Sequence, residues 1–222
     1  MAPRRMLTGM PRAAPPRVFL LSPARLDGAR ARLLFHPVTM FPVARALRSA
    51  QGAPLGEVFS FLSGLYFRGK LAYAQAFARP TSTLTEGALV VTTNRGLVPA
   101  SMRVKLEDLE RLAETDIHQA SDAFRVPLHR DSEALARALG PRGEPVLLGS
   151  IATAKYADVL LSVFDGRLLF PAEFVGRGDM SRGGLMLRCV DANAELTYVP
   201  VRGAVRHGVR PPKLPPRRAS AT

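Results

Sequence analysis

Three short apolar runs, Val18-Phe19-Leu20-Leu21, Leu89-Val90-Val91 and Val146-Leu147-Leu148, constrain this chain more than any other feature. Each is three or four residues of Val, Leu or Phe, and each stops abruptly in polar residues. Continuous apolar runs of this length suit strands buried on both faces. Between them lie segments of helical periodicity, at 40–50, 105–114 and 127–139, with another at about 154–164 after the third run. A further Phe- and Leu-rich stretch at 55–78 is expected to be divided by Gly64 and Gly69. Buried strands alternating with helices predict an α/β protein whose small central sheet is largely parallel and flanked by helices. Residues 185–190 and 195–201 alternate around Asp191-Ala192-Asn193-Ala194, which predicts a C-terminal β-hairpin.

A chain of 222 residues, 47% of them apolar, can bury one sizeable core. The expected organisation is a basic, Pro-rich disordered leader at 1–16, one α/β domain at 17–203 and a basic, Pro-rich tail at 204–222. No apolar run approaches the roughly 20 residues of a membrane span, so no membrane partner is expected. No signal-peptide core follows the first basic residues, and a cytoplasmic protein is expected. The single Cys189 excludes an internal disulfide framework and reads as a core residue. His36, His118, His129 and His207 lack metal-ligand spacing. Neither a phosphate loop nor a dinucleotide fingerprint is present, so no cofactor is expected.

Charge is concentrated at the ends. The net charge is +13, yet residues 1–17 and 202–222 carry ten cations and no acid. Removing those ten leaves 21 basic against 18 acidic residues. Such tails suit phosphate backbones through counterion release, although 27 arginines against 4 lysines also fit a compositional bias.

In open α/β sheets ligands bind beyond the carboxyl ends of the strands. The first run leads to Ser22 and Arg25, and the second to Thr93, Asn94 and Arg95. The third leads to Ser150, Thr153, Lys155 and Tyr156. Taken singly, Ser22, Thr93 or Ser150 reads as a helix or turn cap; together the three loops predict a convergent, basic crevice. The segment Gly176–Gly184 reads as a glycine-rich loop that presents Arg177 and Arg182 to an anion. Thr153 is expected to cap the helix at 154–164.

The same segments, in the same order over about residues 20–185, resemble the motifs of the YaaA-like peroxide-stress family. Leu21-Ser22-Pro23-Ala24-Arg25-Leu26-Asp27 is similar to its SPAK signature, and Gly64-Leu65-Tyr66-Phe67-Arg68-Gly69-Lys70 to its YxGL segment. Thr93–Pro99 stands in the place of the SGLYGVLRP turn. Leu148–Tyr156 resembles NLASxEY, and Arg177–Arg182 resembles ARGxMAR. The motif lysine is Arg25 here, and the acid before Tyr156 is Lys155. The resemblance adds Tyr66 and Lys70 to the candidate binding residues and implies DNA binding in a basic cleft, linked to protection under oxidative stress.

Three classes of function therefore stand open. A nucleic-acid-binding protein, with DNA ahead of RNA, is expected first. An enzyme acting on a nucleotide or nucleobase in the same crevice is the alternative, with Asp179 as its general acid or base. A protein-interaction domain with Arg-rich arms is the third.

Overall fold

The computed structural model describes residues 13–115, 117, 121–152 and 155–215. In chain order the strands and helices are β1 (Arg17–Leu21), α1 (Ala29–Phe35), α2 (Pro42–Arg48), β2 (Ala53–Pro54), α3 (Leu55–Ser63), α4 (Leu65–Phe77), β3 (Ala88–Val91), β4 (Leu97–Pro99) and β5 (Arg103–Val104). They continue with α5 (Leu106–Ala113), α6 (Asp122–Leu139), β6 (Glu144–Leu148), α7 (Ala157–Phe164), β7 (Leu169–Pro171), α8 (Asp179–Asp191) and β8 (Tyr198–Pro200).

Six strands form one sheet in the order β4-β3-β1-β6-β7-β8. β3, β1, β6 and β7 are mutually parallel, and the edge strands β4 and β8 run antiparallel to their neighbours. The protein is therefore α/β with a mixed, mostly parallel sheet. Successive side chains of a strand point to opposite faces, and the core divides accordingly. Phe19, Leu21, Val90, Val146 and Leu148 pack with α2–α5 and α8 on one face. Val18, Leu20, Leu89, Val91 and Leu147 pack with α6 and α7 on the other. The three central strands bury every residue from Val18 to Leu21, from Ala88 to Val91 and from Pro145 to Leu148. No helix among the described residues is long and apolar enough to cross a membrane.

Several local expectations are corrected. Residues 185–190 are not a strand but the second half of α8. β8 does form, and it pairs with β7 rather than with a hairpin partner. The expected loop at Gly176–Gly184 ends at Gly178, and Asp179 begins the helix. Cys189 is half-buried on that helix. Gly64 does divide the Phe-rich stretch, at φ 62°, whereas Gly69 lies in the middle of α4. The α7 N-cap is Tyr156; Thr153, expected there, lies outside the described residues, as does His118.

The boundary regions also carry structure. Arg17, counted with the basic leader on charge alone, is a buried β1 residue bonded to Glu144 and Glu195. Beyond Gly203 the chain runs back over the start of α8: a Cβ on Gly176 would meet the Val209 carbonyl, and Arg188 donates to the Pro215 carbonyl.

Candidate functional site at the carboxyl ends of β1 and β6

The chain leaves β1 toward β3 on one side and leaves β6 toward β7 on the other. The loops after β1 and β6 therefore diverge, and a crevice opens between them by topology alone. Ser22 follows β1 directly; Gly149 and Ser150 follow β6. A Cβ on Gly149 would lie 2.8 Å from the Tyr156 hydroxyl and 3.0 Å from Ser22 Cβ. Glycine is thus what lets Ser22 and Tyr156 approach this loop. The Ser150 N–H donates to the Tyr156 hydroxyl at 3.1 Å, while Ser22 Oγ donates to the Leu148 carbonyl at 3.3 Å.

Helices α4 and α8 close one wall. Tyr66 and Lys70 are four residues apart on α4 and share a face. Lys70 is 1% exposed, and its Nζ donates to the Ser22 carbonyl at 2.5 Å and lies 2.9 Å from Ser22 Oγ. The same ammonium sits over the rings of Tyr66 and Phe67, at 4.4 and 4.7 Å from their centroids. Burial lowers the Lys70 pKa to about 7, with Arg182 adding to the fall and Asp179 opposing it. Burial likewise raises Tyr156, against the hydrogen bonds it receives. The Tyr66 hydroxyl is also raised by burial, and it is buried without a hydrogen-bond partner among the described residues. Arg182 acts on it electrostatically without a bond of normal geometry.

On α8, Asp179 and Arg182 are three residues apart and pair at 3.7 Å. The Asp179 side chain is 68% exposed, that of Arg182 only 14%. Arg182 donates to the Phe174 carbonyl through Nε and a terminal nitrogen, at 3.2 and 3.0 Å. Arg177, in the turn before α8, donates to the Glu173 carbonyl at 3.0 Å and to Ser181 Oγ at 3.2 Å. Beside Gly149 a small cleft of about 10 Å³, room for roughly one water molecule, is lined by Ile151, Phe170, Phe174, Arg182 and Arg206.

The structure thus brings Ser22, Tyr66, Lys70, Ser150, Tyr156, Asp179 and Arg182 into one constellation. Arg25 and Lys155 are exposed in the loops leading from Ser22 and into Tyr156, and Arg25 is paired with Asp27 at 2.6 Å. Thr93, Asn94 and Arg95 are elsewhere, at the β3–β4 turn. Thr93 Oγ1 and Asn94 Nδ2 donate to the carbonyls of Leu112 and Arg111, satisfying the C-terminus of α5, and Arg95 pairs with Asp108 at 2.5 Å. Gly149 and Arg206 were not singled out by the sequence. The position of Gly149 directly after a buried strand is the signal that was available for it.

A larger open groove of about 760 Å³ lies between α6 and α7, past Arg125, His129, Glu133, Asp158 and Ser162. None of the described buried, unpartnered polar atoms lines it. Among the described residues no group of three or more His, Cys, Asp or Glu is placed to hold a metal ion. No family model, curated protein or solved structure matches this chain.

Proposed function

We propose that this protein binds nucleic acid, with exposed cations contacting phosphates and the crevice between β1 and β6 accepting an unstacked nucleotide. The observation that carries this reading is the convergence of Ser22, Tyr66, Lys70, Ser150 and Tyr156 at one topological switch point, with Arg182 bracing the wall through the Phe174 carbonyl. Exposed Arg25, Lys155 and Arg206 lie on adjoining segments. The net charge of +13 supplies the sequence-independent attraction. The order of the YaaA-like motifs favours DNA over RNA and a role in DNA protection under oxidative stress. The open position of Asp179 favours binding over acid–base chemistry by that carboxylate, because water stabilises its charge.

Fluorescence anisotropy titrations with labelled single strands, duplexes and RNA, each at several salt concentrations, test the proposal. Binding that weakens steeply with salt, with single strands retained best, is the expected result. Absence of binding at low salt would refute it.

A further inference from the structure

We infer that residues 204–215 form a strap that closes the β6 side of the crevice in the free protein and lifts off when a single strand of nucleic acid binds there. The inference rests on the nucleic-acid reading above and adds a gate to it.

After β8 the chain turns at Gly203, φ 75°, and crosses the elements that carry the site. Arg206 lines the small cleft together with Gly149 from the loop after β6, Phe174 from the turn after β7 and Arg182 from α8. Gly208 then abuts Val175, and the Val209 carbonyl abuts Gly176: a Cβ on Gly208 would lie 2.5 Å from Val175 Cγ1, and one on Gly176 would clash with the Val209 oxygen. Gly176 therefore serves the strap twice, by its φ of 73° and by admitting that backbone. Farther along, the Arg188 guanidinium donates to the Pro215 carbonyl.

Closed in this way, the cleft holds about 10 Å³, room for roughly one water molecule. Two cations meet there, Arg182 from the body of the domain and Arg206 from the strap. Arg182 also acts on the Tyr66 hydroxyl, which is buried without a hydrogen-bond partner among the described residues. Two guanidinium groups near an unsatisfied hydroxyl suit a phosphodiester better than an apolar group.

The strap is weakly held. Among the described residues one hydrogen bond, from Arg188, joins 205–215 to the rest of the chain. Val205 and Val209 are 64% and 93% exposed, so neither anchors the segment. Segments with few buried apolar contacts open far more readily than the whole domain unfolds. Arg206, Arg210 and Lys213 make the strap cationic, and no acid lies between Gly203 and Pro215. Phosphates that attract these cations draw the strap off the cleft and uncover Arg182 in the same movement.

A reversible lock tests the gate. A Cβ on Gly208 would stand 3.8 Å from Val175 Cβ, and disulfide-bonded cysteines have their Cβ atoms about 3.8 Å apart. Val175→Cys combined with Gly208→Cys, in a chain that also carries Cys189→Ser, therefore fastens the strap on oxidation and frees it on reduction, with no change of charge. Anisotropy titrations with a labelled single strand and a labelled duplex at low salt compare the two forms. The disulfide should form, as read by peptide mass spectrometry, and single-strand affinity should be at least about tenfold weaker in the oxidised form, because the lock depopulates the open state. Duplex affinity should agree within about twofold between the forms, since a duplex uses surface phosphate contacts alone. Failure of the disulfide to form, equal single-strand affinity in the two forms, or an equal loss for single strand and duplex would each overturn the gate. Those outcomes leave nucleic-acid binding standing; no binding by either form would refute that reading and the gate with it.

Discussion

Gly69 on α4 and Gly183 on α8 cross in backbone contact. A Cβ on Gly69 would lie 2.6 Å from the Gly183 carbonyl oxygen, and one on Gly183 would lie 2.5 Å from that of Leu65. These two residues set the distance between the helix that carries Tyr66 and Lys70 and the helix that carries Asp179 and Arg182. Backbone cannot yield as a side chain can, so Gly69→Ala or Gly183→Ala forces the helices apart. The cost of overpacking, about 1–3 kcal/mol, exceeds the roughly 1 kcal/mol that alanine gains over glycine in a helix. Both variants are expected to melt several degrees lower than the parent; an unchanged melting temperature would contradict the crossing.

Gly184 is the internal control. A Cβ there would meet only the Arg188 guanidinium at 3.2 Å and Leu214 Cδ1 at 4.0 Å, both ends of flexible side chains. Gly184→Ala is therefore expected to be neutral or to stabilise by up to about 1 kcal/mol through helix propensity. Calorimetry on Gly183→Ala and Gly184→Ala side by side separates close packing from a general intolerance of this segment.

Arg17 anchors the opposite end of the sheet. It donates to Glu144 at 2.8 and 2.6 Å and to Glu195, and its guanidinium lies 4.4 Å from the centre of the Tyr198 ring. Removing it leaves two carboxylates that are 27% and 32% exposed, so water recovers part of their solvation. Arg17→Met should cost about 1–3 kcal/mol, less than a fully buried pair would. Urea denaturation measures it, and a loss below about 0.5 kcal/mol, the level of an ordinary surface ion pair, would show the cluster to be ornamental.

The sequence located the three central strands because each is buried on both faces and so contains only apolar residues. The carboxyl-end rule then found Ser22, Ser150 and Tyr156. Tyr66 and Lys70 came from motif resemblance alone, since a lysine among aromatic residues on a helix carries no periodic sign of burial. The start of α8 was misread for a physical reason. Gly183 and Gly184 look like loop residues, whereas Gly183 serves close helix contact, and Leu185, Leu187 and Cys189 mimic strand alternation along a helix. Thr93 and Asn94 satisfy the end of α5 across nearly twenty residues of sequence, and Arg95 pairs with Asp108 in its first turn, contacts that local pattern cannot display.

Lys70 gives a pH dependence whose sign is fixed by its lowered pKa. Below about pH 7 the amine is charged in both folded and unfolded chains, and burying that charge opposes folding. Between about 7 and the ordinary lysine value of 10.5, the unfolded chain holds the proton and the folded chain does not. The unfolded state then binds more protons, so stability rises with pH across that window. Tyrosines raised by burial act in the opposite sense only as pH approaches 10 and above. Relative to Lys70→Met, the wild type should therefore gain stability from about pH 7 to 9.5. Parallel curves for the two proteins would mean that Lys70 stays charged in the fold.

Arg177 and Arg182 face a sharper test, because their donors are already engaged. Arg182 grips the Phe174 carbonyl with two nitrogens and stands 5.3 Å from the centre of the Phe174 ring, while Arg177 holds the Glu173 carbonyl. Together they pin the start of α8 to the turn after β7. Lysine keeps the charge but cannot reproduce the planar fork. Arg182→Lys is expected to cost about 1–2 kcal/mol, and Arg177→Lys, which is more loosely held, about 0.5–1 kcal/mol. Nucleic-acid affinity of the folded variants should stay within about twofold at matched salt, since the count of cations is unchanged. Thermal melts and anisotropy isotherms on both variants check this. Unaltered melting with weakened binding would reverse the assignment and make the two guanidinium groups direct ligand contacts.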